Sequence, residues 1–153
     1  MSQDEAGIDL ETSLGYLLKE ASSALRVAME AVLRPLGMTV THYSCLELLA
    51  QRPGLSNSEL ARGTFVTRQS MNVLLQNLER DGYVTRASEA TVGKVLPTRL
   101  TPRGRRSLEK ASAAVRSVEL RMLSGLSQNE QSDAFRILQS MIRGLRDEES
   151  VRG

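Results

Sequence analysis

Residues 55–86, LSNSELARGTFVTRQSMNVLLQNLERDGYVTR, decide the fold. Ser56-Asn57-Ser58-Glu59 has the form of a capping box, in which a serine hydroxyl accepts from the amide of the glutamate three residues on and the carboxylate reaches back. A short helix is expected over about residues 57–62, with Leu60 and Ala61 inward, and Gly63-Thr64-Phe65-Val66 reads as the turn after it. Thr67 then caps a second helix to about residue 80. Met71, Leu74, Leu75 and Leu78 recur along it at steps of three and four, the period of a helix with one buried face. Asp81-Gly82 ends it. Two β-prone runs follow, residues 83–86 and 94–100, around a small polar tip at 87–93. Pro97 lacks an N–H, which places the second run at a sheet edge. Helix, tight turn, helix and hairpin together make a winged helix-turn-helix.

Outward from this block the chain is helical on both sides. Leu14, Leu17, Leu18, Ala21, Leu25, Ala28 and Val32 lie on one stripe of a long helix expected over about residues 9–36 and stopped by Pro35 and Gly37. A helix over about 40–51, with Tyr43, Leu46, Leu49 and Ala50 inward, ends at Pro53-Gly54. Beyond the hairpin, Thr101-Pro102 gives a cap followed by proline at the first helical position. The long helix it opens carries Leu108, Ala111, Val115, Val118 and Met122. Ser127-Gln128-Asn129-Glu130, a second capping box, opens a last helix with Phe135, Leu138, Ile142 and Leu145 on one side, and residues 147–153 read as a frayed end. The fold class is mainly α, a single domain over residues 1–153 with a two-stranded β wing.

Composition narrows the function. Of 153 residues 41% are hydrophobic, enough for a core, but only 3% are aromatic and none is Trp, which suits helices packed through Leu, Val, Ala and Met. The first residues are polar and acidic, and no apolar run approaches the roughly 20 residues of a membrane span. The lone Cys45 allows no disulfide within the chain and points to a reducing cytoplasm. One His and one Cys cannot form a Cys/His zinc site. His42 and Cys45 stand three apart on one helix, but with no orienting carboxylate or oxyanion site they make no catalytic set. Neither an enzyme nor a cofactor is expected. Residues 52–110 hold 11 Lys/Arg against 5 Asp/Glu, an excess of 11 − 5 = +6, whereas the rest of the chain holds 9 against 13, or −4. That concentration of positive charge suits a polyanion.

The helix from Thr67 is therefore the expected reading head in a DNA major groove. Its N-terminus offers free amides and the positive dipole end to a phosphate. Arg68, Gln69, Ser70 and Asn72 face outward near that end. Arg suits guanine, and Gln or Asn suits adenine, each by paired hydrogen bonds. Thr67 doubles as cap and phosphate contact, Ser56 joins the interface, and Arg86 and Lys94 supply backbone or minor-groove contacts from the wing. The apolar stripes of the flanking helices, about residues 12–36 and 105–147, exceed what the 38–104 lobe can bury. A two-fold homodimer would cover the surplus and present both heads to a palindromic site.

The segment 55–86, with LPTRLTPRGRR at 96–106, resembles the MarR family of bacterial regulators. Leu75, Leu78, Glu79, Gly82, Tyr83, Val84 and Arg86 match that family's run into the wing, and Leu100, Thr101 and Gly104 match its close. The likeness extends from about residue 12 to 147. One departure lies in the wing, where the family's Asp-Arg-Arg is replaced by Val92-Gly93-Lys94. The resemblance implies a repressor released by a small aromatic or phenolic effector bound near the junction of lobe and dimer helices, where Tyr16, His42 and Tyr43 are the polar-tipped candidates. Two other readings remain at this point: a winged-helix protein-interaction module without DNA binding, and a thiol-based redox sensor using Cys45.

Overall fold

The computed structural model describes residues 7–86 and 97–152, with side chains through residue 147. Its elements are α1 (Leu14–Leu33), a 3-10 turn (Arg34–Leu36), α2 (Val40–Gln51), α3 (Asn57–Thr64), α4 (Arg68–Arg80), β1 (Val84–Arg86), β2 (Thr98–Leu100), α5 (Pro102–Leu123) and α6 (Gln128–Arg152). They fall into two compact units, residues 1–118 and 119–153.

In the first unit, α1 starts with the first residue of the apolar stripe, Leu14, and not at the expected residue 9. The Asp9 carboxylate accepts from the Glu11 amide at 3.1 Å and holds a turn there, so the helix waits for the next cap, Ser13, whose hydroxyl accepts from the Tyr16 amide. Such short side-chain-to-backbone bonds compete directly with helix formation. At the other end Pro35 tightens the chain into the 3-10 turn, and Gly37 closes it at φ 72°.

The decisive block folds as read, with one shift. Ser56 and Glu59 form both bonds of the capping box. α3 runs on to Thr64 because the buried Thr64 hydroxyl donates to the Leu60 carbonyl at 2.7 Å and needs no water. The left-handed turn residue is Phe65, at φ 61° and ψ 38°. A non-glycine side chain is strained there, by roughly 1–2 kcal/mol.

β1 and β2 pair antiparallel, with Val84 opposite Leu100, Thr85 opposite Arg99 and Arg86 opposite Thr98. Both strands are edges, as Pro97 requires. The expected wing tip and Lys94 lie outside the described residues. The hairpin root is knotted to α5 by Thr101. Its hydroxyl donates to the Gly82 carbonyl and accepts from the Gly104 amide, while its own amide donates to the Tyr83 carbonyl. A Cβ at Gly104 would collide with that Tyr83 carbonyl, so only glycine admits the approach. This gives the matched Thr101 and Gly104 a physical reason.

The core of this unit gathers Leu33, Met38, Cys45, Leu46, Leu49, Leu60, Ala61, Met71, Leu75, Leu78, Val84, Leu100, Leu108, Ala111 and Val115, drawn from its α-helices and both strands. Ala50, expected inward, is exposed, and Cys45 takes the inward place on α2 instead. In the second unit, Ser127 and Glu130 form the expected capping box at the start of α6. No described residue of α6 is buried. Phe135, Leu138, Ile142 and Leu145 of the expected stripe are all exposed, as is Met122 at the end of α5.

Candidate nucleic-acid interface

Thr67 sits in extended backbone, φ −71° and ψ 157°, and its Oγ1 accepts from the Ser70 amide at 3.0 Å. The same hydroxyl donates to Ser70 Oγ at 2.9 Å. The first helical bond of α4 runs from the Met71 amide to the Thr67 carbonyl. The amides of Arg68 and Gln69 precede it, so they stand at the positive end of the helix with no partner from within α4. Arg68, Gln69, Ser70 and Asn72 are all exposed. Their common origin is the inward set Met71, Leu75 and Leu78, which rolls the polar side of α4 away from the core.

Asn72 is also held from the side. Its Oδ1 accepts from Asn57 Nδ2, on the first turn of α3, at 3.1 Å, which leaves the Asn72 amide NH2 to face outward as a donor. Ser56 is half-buried. Its hydroxyl accepts from the Glu59 amide at 3.2 Å and its amide donates to Glu59 Oε1 at 3.1 Å. A hydrogen bond from the Ser56 side chain, and then the one from the Ser56 amide, hold the Glu59 carboxyl below its ordinary value. Ser56 therefore stands first as a helix cap, its hydroxyl engaged with Glu59.

The wing side differs from a set of free cations. Arg86 pairs with Glu79 at 3.7 Å and its side chain is only 20% exposed, so it ties β1 to the last turn of α4. Lys94 lies outside the described residues.

Two exposed residues of α4 escaped sequence reading, Val73 and Gln76. Both continue the spacing that begins at Gln69, since 69, 72, 73 and 76 are the i, i+3, i+4 and i+7 positions of one face. Following the outward period, rather than stopping at the first turn, would have found them.

The three ligand candidates occupy separate settings. Tyr16 is half-exposed and lines a hollow of about 460 Å³ with Leu10, Leu14, Leu17 and Glu20. Tyr43 lines another, of about 220 Å³, with Ser44, Glu47, Gln51 and Arg52. His42 packs edge-on against Tyr83, ring centroids 5.1 Å apart, and Arg103 covers the Tyr83 ring at 4.8 Å. Burial lowers the His42 imidazole below its ordinary pKa, with Asp81 pulling the other way, and its Nε2 is buried without a hydrogen-bond partner.

The redox reading of Cys45 is corrected by its surroundings. The thiol is fully buried, 3.9 Å from Met71 Sδ, and burial pushes it up to about 12. A thiolate is the reactive form, and this site suppresses it. His42 and Cys45, three apart on α2, are likewise no nucleophile and base. Among the described residues, no group of three or more His, Cys, Asp or Glu is placed to hold a metal ion. None of their helices is long and apolar enough to cross a membrane.

The sequence pattern of the MarR family matches residues 36–94. The HTH-type transcriptional repressor Rv2887 of Mycobacterium tuberculosis is 41% identical over 135 residues, spanning 88% of this chain and 97% of the relative. Rv2887 has been crystallised in complex with DNA, and that structure superposes with a TM-score of 0.70 at 40% identity, covering 85% of this chain and 98% of the other. Its complex with salicylic acid also gives a TM-score of 0.70, at 42% identity, covering 85% and 96%.

Proposed function

This chain belongs to the MarR family, and we propose that it is a homodimeric repressor that binds a palindromic site in double-stranded DNA and leaves it when a small phenolic or aromatic acid binds. The observation that carries this reading is the capped, outward-facing polar start of α4, where Thr67, Arg68, Gln69, Ser70 and Asn72 stand exposed around unpaired amides. A relative at 41% identity that is a repressor and has been crystallised with DNA and with salicylic acid supports both halves of the reading.

In this reading Arg68, Gln69 and Asn72 read base edges, Thr67, Ser70 and Ser56 meet phosphates, and Lys94 adds a backbone or minor-groove contact. Arg86, engaged with Glu79, sets the angle of the wing as much as it contacts DNA. Helices over about 12–36 and 105–147 form the dimer. Repression is occupancy: the dimer on a promoter excludes polymerase. An effector that binds better to a dimer with differently spaced heads lowers DNA affinity by the same coupling free energy with which DNA opposes the effector. Tyr16, His42 and Tyr43 remain the candidate effector residues. The protein is a binding protein of the cytoplasm and not an enzyme.

Selection of duplexes from a random pool, followed by a salt titration, tests this directly. A palindromic consensus and a steep linear fall of log affinity with log salt, the mark of counterion release, are expected. Arg68→Ala weakens binding by roughly 1–3 kcal/mol per half-site and relaxes base preference, with the dimer intact. No duplex binding at low salt would instead leave a winged-helix protein-interaction module.

A further inference from the structure

Val73 is the one large apolar side chain exposed on α4, at 53%. Its neighbours on the surface are polar: Gln69 and Asn72 toward the helix start and Gln76 one turn on, all exposed. At about 100° per residue these four fill one side of the helix, opposite the buried Met71, Leu75 and Leu78. Val73 therefore lies on the face that the proposed function turns toward DNA, on the side nearer Ser70. About half of it is open to solvent in the free chain. A β-branched residue restricts a helix, and this one is not buried in exchange.

The floor of the major groove offers hydrogen-bond donors and acceptors at every base pair but one apolar group, the C5 methyl of thymine. Resting on the reading proposed above, we infer that Val73 is a specificity-determining residue that selects thymine in each half-site by packing its isopropyl group on that methyl. Gln69 and Asn72 beside it hydrogen-bond to adjoining base edges. Burying one methyl-sized contact corresponds to a preference of roughly three- to five-fold per half-site over a pyrimidine without the methyl.

The test uses the full chain and a duplex selected by the wild-type protein from a random pool. Each thymine is replaced in turn, symmetrically in both half-sites, by uracil, which lacks only the C5 methyl. Wild-type protein is expected to lose roughly three- to five-fold affinity per half-site at one symmetric position. Val73→Ala, an exposed change to a better helix former, is expected to bind the thymine and uracil duplexes equally, with unchanged circular dichroism. If wild type binds the selected duplex but no position depends on the methyl, or if Val73→Ala keeps the full dependence, the role of Val73 is overturned while DNA binding stands. If no duplex is selected at all, the DNA reading falls and the Val73 role with it.

Discussion

α4 and α6 carry the same kind of pattern, an apolar stripe on an otherwise polar helix, and the structure treats them in opposite ways. On α4 the stripe is spent inside the chain: Met71, Leu75 and Leu78 are buried and the polar face is left to the outside. On α6 Phe135 is 66% exposed, Leu145 76%, and Leu138 and Ile142 more than two-fifths. A periodic stripe thus states which face seeks apolar contact and leaves open which chain supplies it. Where one chain buries the stripe, the opposite face is free for a ligand; where it does not, the stripe itself is the binding surface. Contiguous apolar exposure on this scale marks a protein partner.

The most severe way to break the contrast is to charge the exposed stripe. Leu138→Glu with Ile142→Glu is expected to turn a dimer into a monomer by sedimentation and to cost roughly 10²–10⁴-fold in DNA affinity, the avidity of two linked heads. A variant that stays dimeric would assign the α6 stripe another partner. Leu75→Ala strikes the buried stripe and is expected to cost about 2–5 kcal/mol of unfolding free energy in urea, the range for a leucine cavity. A loss below that range would mean that the α4 stripe is less tightly packed than its burial implies.

Smaller effects sharpen the picture of the first unit. Phe65→Gly is expected to raise its stability by about 1 kcal/mol, because the left-handed turn is relieved and an exposed ring has no packing to lose. Unchanged or lower stability would show that the ring has a hidden contact. Last, His42 binds its proton less readily folded than unfolded, so the unfolded chain takes up more protons on acidification. Stability should be level above the ordinary value of 6.5 and fall as pH drops through and below it. Urea midpoints between pH 8 and pH 5 check this, and His42→Gln should flatten the acid side of the profile.

How much of this was legible depends on the range of the interaction. The caps at Ser56, Thr67 and Ser127 were read correctly because each is settled within four residues, by a hydroxyl and a nearby amide. The start of α1 was misplaced for a reason equally local, Asp9 spending its carboxylate on a turn. The pairing of Arg86 with Glu79 joins a strand to the helix before it and depends on the chain reversal at Gly82, which no residue spacing displays. Asn57 bracing Asn72 likewise crosses the turn between α3 and α4. Val73 lies outside the inward stripe of Met71, Leu74, Leu75 and Leu78 and is legible from the same period once the outward face is followed past the first turn. Tyr16, His42 and Tyr43 are the polar tips near the expected junction of lobe and dimer helices, and the structure gives them three different surroundings.

The Thr101 knot has a mechanical consequence. Gly82 follows the end of α4, Tyr83 leads into β1, and Gly104 lies in the first turn of α5, yet all three are laced to one hydroxyl and one amide. With no side chain at Gly104 there is no slack in the joint. Those bonds couple a tilt of that turn to the hairpin base and the trailing end of α4, and in the proposed reading to the pitch of the tip at Thr67.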